Sequence, residues 1–136
     1  MAVYAQLQDL IDRVGAREIT ELTDRADPPA GAIDASVAER ALADADAEID
    51  GYLAARYDLP LSPVPAVLTR LATDIARYRL WDDRAPEEVR QRYEDAVRLL
   101  REIADGRHRL PVSAPQAAGA GPAWAAPGRV MPPAEF

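Results

Sequence analysis

Hydrophobic residues recur at three- and four-residue steps near the start of the chain, which is the spacing of one face of an α-helix. This pattern predicts a short first helix over 4–14 that ends at Gly15, a residue common at helix ends. Segment 16–23 can form a second short helix, and the next residues, DRADPPAGAID, predict a loop because Asp, Pro and Gly dominate them. The apolar positions of the first helix are Tyr4, Leu7, Leu10, Ile11 and Val14.

A longer third helix is predicted over 36–56. Ser36 is followed three residues later by Glu39, a spacing typical of a capping box in which both side chains bind backbone N–H groups of the first turn. Its apolar positions are Val37, Ala41, Ala45, Ile49, Tyr52 and Leu53.

Three prolines in YDLPLSPVP interrupt the helical pattern, because proline lacks an amide donor and holds the preceding residue extended. Pro65 then suits the start of a fourth helix that reaches Trp81. After the short break DDRAP, in which an aspartate can cap, a fifth helix is predicted with Pro86 in its first turn and Gly106 at its end. The apolar positions of the fifth helix are Val89, Tyr93, Ala96, Val97, Leu100 and Ile103.

The predicted fold class is all-α, because no segment of useful length alternates with the two-residue period of a strand. We expect a small bundle of four to five helices over residues 1–110. Residues 111–136 differ in composition, with six prolines, three glycines and eight alanines. Such a segment buries too little apolar surface to fold alone, so we expect an extended C-terminal arm.

Composition narrows the chemistry further. The formal net charge is −7, and residues 1–60 hold 13 acidic residues against 5 arginines. The absence of cysteine excludes disulfides, thiolate metal ligands and cysteine nucleophiles. His108 lies at the end of the last predicted helix, where it suits the helix dipole better than general-base catalysis. No long apolar run or signal peptide is present, so we expect a soluble protein made in the cytoplasm with no membrane partner. Nucleophilic catalysis needs a hydroxyl or thiol with a base beside it, and this chain has few hydroxyls, one histidine and no cysteine, so we expect a non-enzymatic protein with no cofactor.

The acidic run DADAEID is a candidate metal site until it is placed on a helix. Residues two apart on a helix point in different directions, so only Asp46 and Asp50 share a face. We interpret this face as solvated, or as a wall turned toward a polyanion. The loop over 24–34 also fails as a calcium loop, because Ala26 and Pro28 occupy positions where oxygen ligands belong.

Arginines and aromatic residues cluster in IARYRLWDDRAPEEV, around Arg77, Arg79, Trp81 and Arg84. A helix-turn-helix DNA-binding regulator is one interpretation, but carboxylates interleave with arginines on the helix that would enter the groove. Guanidinium groups that pair with carboxylates across a contact, with aromatics beside them, are typical of subunit interfaces. We therefore predict a subunit interface at these four residues, with ordinary surface charge as the alternative.

Several segments resemble a known family. YAQLQDLIDRVG, ITELTDR, ALADADAEIDGYLAARYDLPL and VPAVLTRLATDIARYRLWDDRAPEEVRQRYEDAVRLL are similar to the small proteins encoded among the head genes of Mu-like phages and prophages. The resemblance covers about residues 1–108. It departs in the loop, where ADPPAG replaces an Asp-Gly-rich sequence, and the tail after Pro111 lies outside it.

The resemblance implies a structural virion protein of the phage neck, between capsid and tail. It would be a head-to-tail adaptor whose copies form a ring, commonly of about twelve subunits, beneath the portal protein and above a stopper or tail-completion protein. A stopper or head-completion protein of the same neck is the alternative. Genomic DNA would pass through such a ring, and a basic lumen would trap the duplex, so we expect the acidic face with Asp46 and Asp50 to border the channel or its mouth.

The C-terminal arm then has a predicted use. An extended chain can place apolar side chains in pockets of a partner, which here would be the portal, the stopper or a neighbouring subunit. The docking side chains would be Trp124, Val130, Met131 and Phe136.

Overall fold

The computed structural model describes residues 3–111, which form five α-helices and one short 3-10 helix. No strand occurs within these residues, and the predicted all-α class is confirmed. The elements are α1 (Leu7–Val14), α2 (Ala16–Thr23), α3 (Ala35–Leu53), α4 (Ala66–Trp81), the 3-10 turn (Asp82–Arg84) and α5 (Glu87–Ala104).

Helix α4 lies at the centre of the bundle and contacts each of the other four helices. Six consecutive residues, 71–76, are buried, as expected for a helix covered on several sides. Helices α3 and α5 pack against α4 and against each other and complete the main core. The largest fully buried side chains of these three helices are Leu42, Ile49, Leu53, Leu68, Leu71, Ile75, Leu100 and Ile103.

Helices α1 and α2 are eight residues each, a length at which an isolated helix is marginal in water. Both are held by burial, since Leu10 and Ile19 are fully enclosed. Gly15 joins them with a φ of 104°, a conformation that glycine adopts without the steric cost of a side chain. The sequence prediction placed α2 correctly and began α1 three residues early.

The predicted Ser36 cap is wrong. Asp34 caps α3, and its Oδ1 accepts hydrogen bonds from the Ser36 backbone N–H at 3.0 Å and from the Ser36 hydroxyl at 2.7 Å. A carboxylate is the stronger acceptor because it carries a charge, so the serine becomes a donor. Pro86 likewise lies at the cap of α5, one residue before the helix, and neither Asp82 nor Asp83 provides a side-chain cap.

Helix α3 ends at Leu53, short of the predicted end near Arg56. The guanidinium of Arg56 instead donates to the carbonyl oxygens of Ala104 and Asp105, each at 2.9 Å, at the negative end of α5. Gly106 follows with a φ of 84°, and a Cβ at this residue would lie 2.6 Å from the Arg56 Cζ. The positive φ favours glycine here, and a side chain at this position would also displace the end of the Arg56 side chain.

Candidate functional site

The first polar cluster joins α2 to the C-terminal part of α4. Arg77 donates from Nε and Nη2 to the two carboxylate oxygens of Glu18, at 2.7 and 3.0 Å. The indole N–H of Trp81 donates to the same carboxylate at 2.9 Å. Partial burial disfavours the charged form of Glu18, but the hydrogen bonds from Arg77 and Trp81 outweigh burial and lower the pKa of Glu18. The cluster is therefore a bidentate ion pair with the Trp81 N–H as a third donor, and all three residues belong to the same subunit.

The second polar cluster joins α3, α4 and α5 through Glu48. This carboxylate accepts from Arg79 Nη2 at 2.6 Å and from the Tyr93 hydroxyl at 2.8 Å. The rings of Tyr78 and Tyr93 stack with centroids 4.1 Å apart, and the Arg79 Cζ lies 5.7 Å from the Tyr93 ring centre. Burial, followed by the hydrogen bond to Glu48, raises the pKa of Tyr93 to about 12.

The two clusters include three of the four residues of the predicted subunit interface. Arg77, Arg79 and Trp81 all bind carboxylates of their own chain, so pairing with a neighbouring protomer is not needed to satisfy them. Arg84 is exposed and makes no ion pair with any residue in the described part of the chain. Contact of this corner with another subunit stays a prediction.

Asp46 and Asp50, the two residues of the predicted acidic face, bind the N-terminal segment of the chain. Asp46 is only 9% exposed and accepts the backbone N–H groups of Val3 at 2.7 Å and Tyr4 at 3.2 Å. Asp50 is half-buried and accepts a hydrogen bond from the Tyr4 hydroxyl. Burial, followed by the hydrogen bond to Asp50, raises the pKa of Tyr4.

The prediction that Asp46 lies on a solvated face is therefore wrong. The Asp46 carboxylate holds the N-terminal segment against α3. The Thr69 hydroxyl of α4 also binds this segment, because it donates to the Tyr4 carbonyl at 2.7 Å. The expectation failed because the partners of Asp46 are backbone groups 42 and 43 residues away, which no local pattern indicates. Whether Asp50 borders a channel stays a prediction.

The loop between α2 and α3 is organised around Asp24. Its carboxylate accepts backbone N–H groups from Gly31 at 2.6 Å and Ala30 at 3.1 Å, which lower the pKa of Asp24. Asp24 therefore closes the loop through these hydrogen bonds instead of binding a cation. Over residues 3–111, no group of three or more His, Asp or Glu residues is arranged to hold a metal ion.

Within residues 3–111, Asp74 is the other buried carboxylate. It lies on α4 and is 8% exposed, with the Arg70 guanidinium 4.0 Å away. Burial raises the pKa of Asp74, against the opposing influence of the arginines around it, Arg13 foremost.

Among the helices that the structure describes, none is long and apolar enough to cross a membrane.

The predicted docking residues Trp124, Val130, Met131 and Phe136 lie outside the described residues. The predicted division between a domain over 1–110 and an arm over 111–136 stays a prediction.

Comparison with known proteins gives consistent matches over this same helical region. The family model described as "Bacteriophage Mu, Gp36" matches residues 4–125. The "Mu-like prophage FluMu protein gp36" of Haemophilus influenzae is 41% identical over 113 residues, which cover 83% of this chain and 79% of that protein. "Gene product J" of Escherichia phage Mu is 42% identical over 104 residues, covering 76% of this chain and 73% of that protein.

The extent of the family match corrects one expectation. The resemblance seen in the sequence ended near residue 108, whereas the family model extends to residue 125 and so includes the first part of the proline-rich segment. A segment of low complexity carries few distinctive residues, which is why its relationship was not visible from motifs alone.

Proposed function

The chain belongs to the Bacteriophage Mu Gp36 family, and from this premise we propose that it is a structural protein of the virion, a helical head-to-tail adaptor that forms a ring beneath the portal. A ring subunit has to keep its shape while it is held between larger assemblies. The structural support for this role is the way its helices are tied together.

Four carboxylates hold the helices together, because each forms hydrogen bonds between separate parts of the chain. Glu18 joins α2 to α4, and Glu48 joins α3 to both α4 and α5. Asp46 and Asp50 join the N-terminal segment to α3. A hydrogen bond to a charged group contributes a net stabilisation of about 1.5–3 kcal/mol, so these contacts make the subunit a preformed body.

The overall charge is compatible with the passage of DNA. A net charge of −7 repels a duplex, so genomic DNA could move past such a ring without being held. This argument depends on the net charge and not on Asp46, which is buried.

The alternative of a helix-turn-helix regulator is less well supported by the structure. On α5, which would be the recognition helix, Arg90 pairs with Glu87 and Glu94, and Arg92 pairs with Glu88. The carboxylates interleaved with these arginines reduce the attraction of the helix for phosphates. A gel shift at physiological salt that showed specific binding would favour the regulator.

A genetic experiment tests the adaptor role. A stop codon early in this gene, in the phage that encodes it, should yield DNA-filled heads without tails in negative-stain micrographs. A plasmid copy of the gene should restore tailed particles, whereas normal particles without the plasmid would contradict the proposal. Cross-linking in purified virions separates the adaptor, which should reach the portal, from a stopper, which should reach the tail.

The proline-rich arm is part of the same proposal. We propose that it docks on the portal or the stopper. A plasmid copy that ends at residue 111 should then restore fewer tailed particles than the full chain, and equal restoration would remove the docking role.

A further inference from the structure

A small surface pocket lies where the N-terminal half of α3 meets the last turn of α4 and the loop after α2. Its volume is about 100 Å³. Three of its seven lining residues are arginines and one is an aspartate. The lining residues are Arg25, Val37, Arg40, Ala41, Asp44, Arg79 and Leu80.

The charges of this pocket are not balanced within the subunit. Arg79 is held by Glu48, but Arg25 and Arg40 are exposed and make no ion pair among residues 3–111. Asp44 is the single carboxylate of the lining. The hydrogen bond from Ser36 lowers the pKa of Asp34, with Arg25 as a lesser cause, and this carboxylate is already occupied as the cap of α3.

Some exposed arginines are paired, since on α5 Arg90, Arg92 and Arg98 each have a carboxylate three or four residues away on the same helix. Others make no ion pair among residues 3–111, namely Arg13, Arg84, Arg101 and Arg109. Arg25 and Arg40 belong to this unpaired group and line the same pocket, so their donors are available together in a chain whose acidic residues outnumber its arginines by 23 to 16.

We propose that this pocket receives a carboxylate side chain from a second copy of this chain, an inference that rests on the ring formation proposed above. Guanidinium groups bind carboxylates in a planar forked geometry, which two free arginines beside each other can supply. The apolar side chains of Val37, Ala41 and Leu80 border the site and would strengthen the attraction by excluding water.

A second copy is the favoured source because its surface carries suitable acids. Exposed carboxylates that make no ion pair within the described part of the chain include Asp27, Glu39, Asp58, Asp82 and Asp83. A duplex is a poorer occupant, since the net charge of −7 repels it and the pocket accommodates only the end of one side chain.

Site-specific photocross-linking in phage-producing cells tests this inference. The photoreactive residue p-benzoylphenylalanine replaces Asp44, an exposed lining residue whose loss leaves all three arginines in place. The same probe is also placed in a chain carrying Arg25→Glu and Arg40→Glu. Circular dichroism of the purified variants checks that the helical fold is kept.

The expected product is a covalent dimer whose cross-linked peptide comes from the same chain and contains an exposed acidic residue. The double charge reversal should reduce this dimer at least about tenfold, a change that corresponds to about 1.4 kcal/mol. A dimer unaffected by the charge reversal, an adduct to another protein or to DNA, or no adduct at all would each overturn the inference.

Mass spectrometry of purified tailed particles distinguishes a failure of the pocket inference from a failure of the proposed function. If the chain is present in particles without forming the dimer, the pocket inference falls and the adaptor role stands. If the dimer forms in cells while particles lack the chain, the adaptor role falls and the pocket contact stands.

Discussion

Two groups of arginines in this subunit differ in what they bind, although the residue type is the same. Arg77 and Arg79, on α4, reach carboxylates of α2 and α3 and hold the bundle together. Arg25, in the loop after α2, and Arg40, on α3, keep their guanidinium groups exposed beside a pocket. The comparison teaches that an arginine-rich motif next to a tryptophan can stabilise the interior of a subunit, while less conspicuous arginines remain available to a partner.

The largest effect is expected from breaking the first group. Arg77→Met removes both hydrogen bonds to Glu18 and leaves its carboxylate, only 24% exposed, with Trp81 as its remaining side-chain donor. We expect the free energy of unfolding to fall by about 2–3 kcal/mol, because a partly buried charge loses its partner. Urea denaturation followed by circular dichroism measures this change.

Arg17→Met is the matched control for that measurement. Arg17 precedes Glu18 on α2, and its side chain is 93% exposed with a single ion pair to Glu21 at 3.4 Å. Its loss should change the free energy of unfolding by no more than about 0.5 kcal/mol. Equal effects of the two substitutions would show that the Glu18 cluster does not hold the bundle.

A smaller effect is expected at the N-terminal attachment. Asp46→Ala removes the acceptor for the Val3 and Tyr4 amides and should lower the free energy of unfolding by about 1–2 kcal/mol. The Tyr4 amide should also exchange with deuterium faster by hydrogen-exchange NMR. Asp44→Ala, on the same helix but exposed, should leave both properties unchanged.

The smallest effect concerns the Glu48 cluster and appears only at alkaline pH. The pKa of Tyr93 is raised to about 12, so the folded state holds the neutral phenol more strongly than the unfolded chain does. The resulting stabilisation is complete below the ordinary tyrosine pKa of about 10 and is lost as the pH rises through about 12.

The difference in absorbance at 295 nm between the parent chain and Tyr93→Phe isolates this titration. The Tyr93 step should lie well above pH 10, and Glu48→Gln should move it downward because a neutral amide no longer opposes the phenolate. A step at the ordinary value in the parent would contradict the proposed geometry of the cluster.

The helices could be predicted from the sequence because their signals are local. Gly15 and Pro65 marked the starts of α2 and α4 within a residue, and apolar spacing identified the buried stripe of α5. The start of α3 was harder, since Asp34 and Ser36 both satisfy the local preference for a cap and only the structure shows which of them accepts.

The partners of the polar residues could not be predicted, because they are distant in the chain. Glu18 and Arg77 are 59 residues apart, and Glu48 and Tyr93 are 45 apart. Helical periodicity places each side chain on a face but does not say which face of another helix it meets. For this reason the sequence could not show that Arg77, Arg79 and Trp81 bind carboxylates of their own chain, while Arg25 and Arg40 carried no motif at all.

Cryo-electron microscopy of the portal vertex in intact particles tests the central claim most directly. The account predicts a ring of this five-helix subunit between capsid and tail, with the pocket of Arg25 and Arg40 facing a carboxylate of the adjacent copy and Glu18 bound to Arg77 within each copy. Density at the neck that contains no such subunit would contradict it.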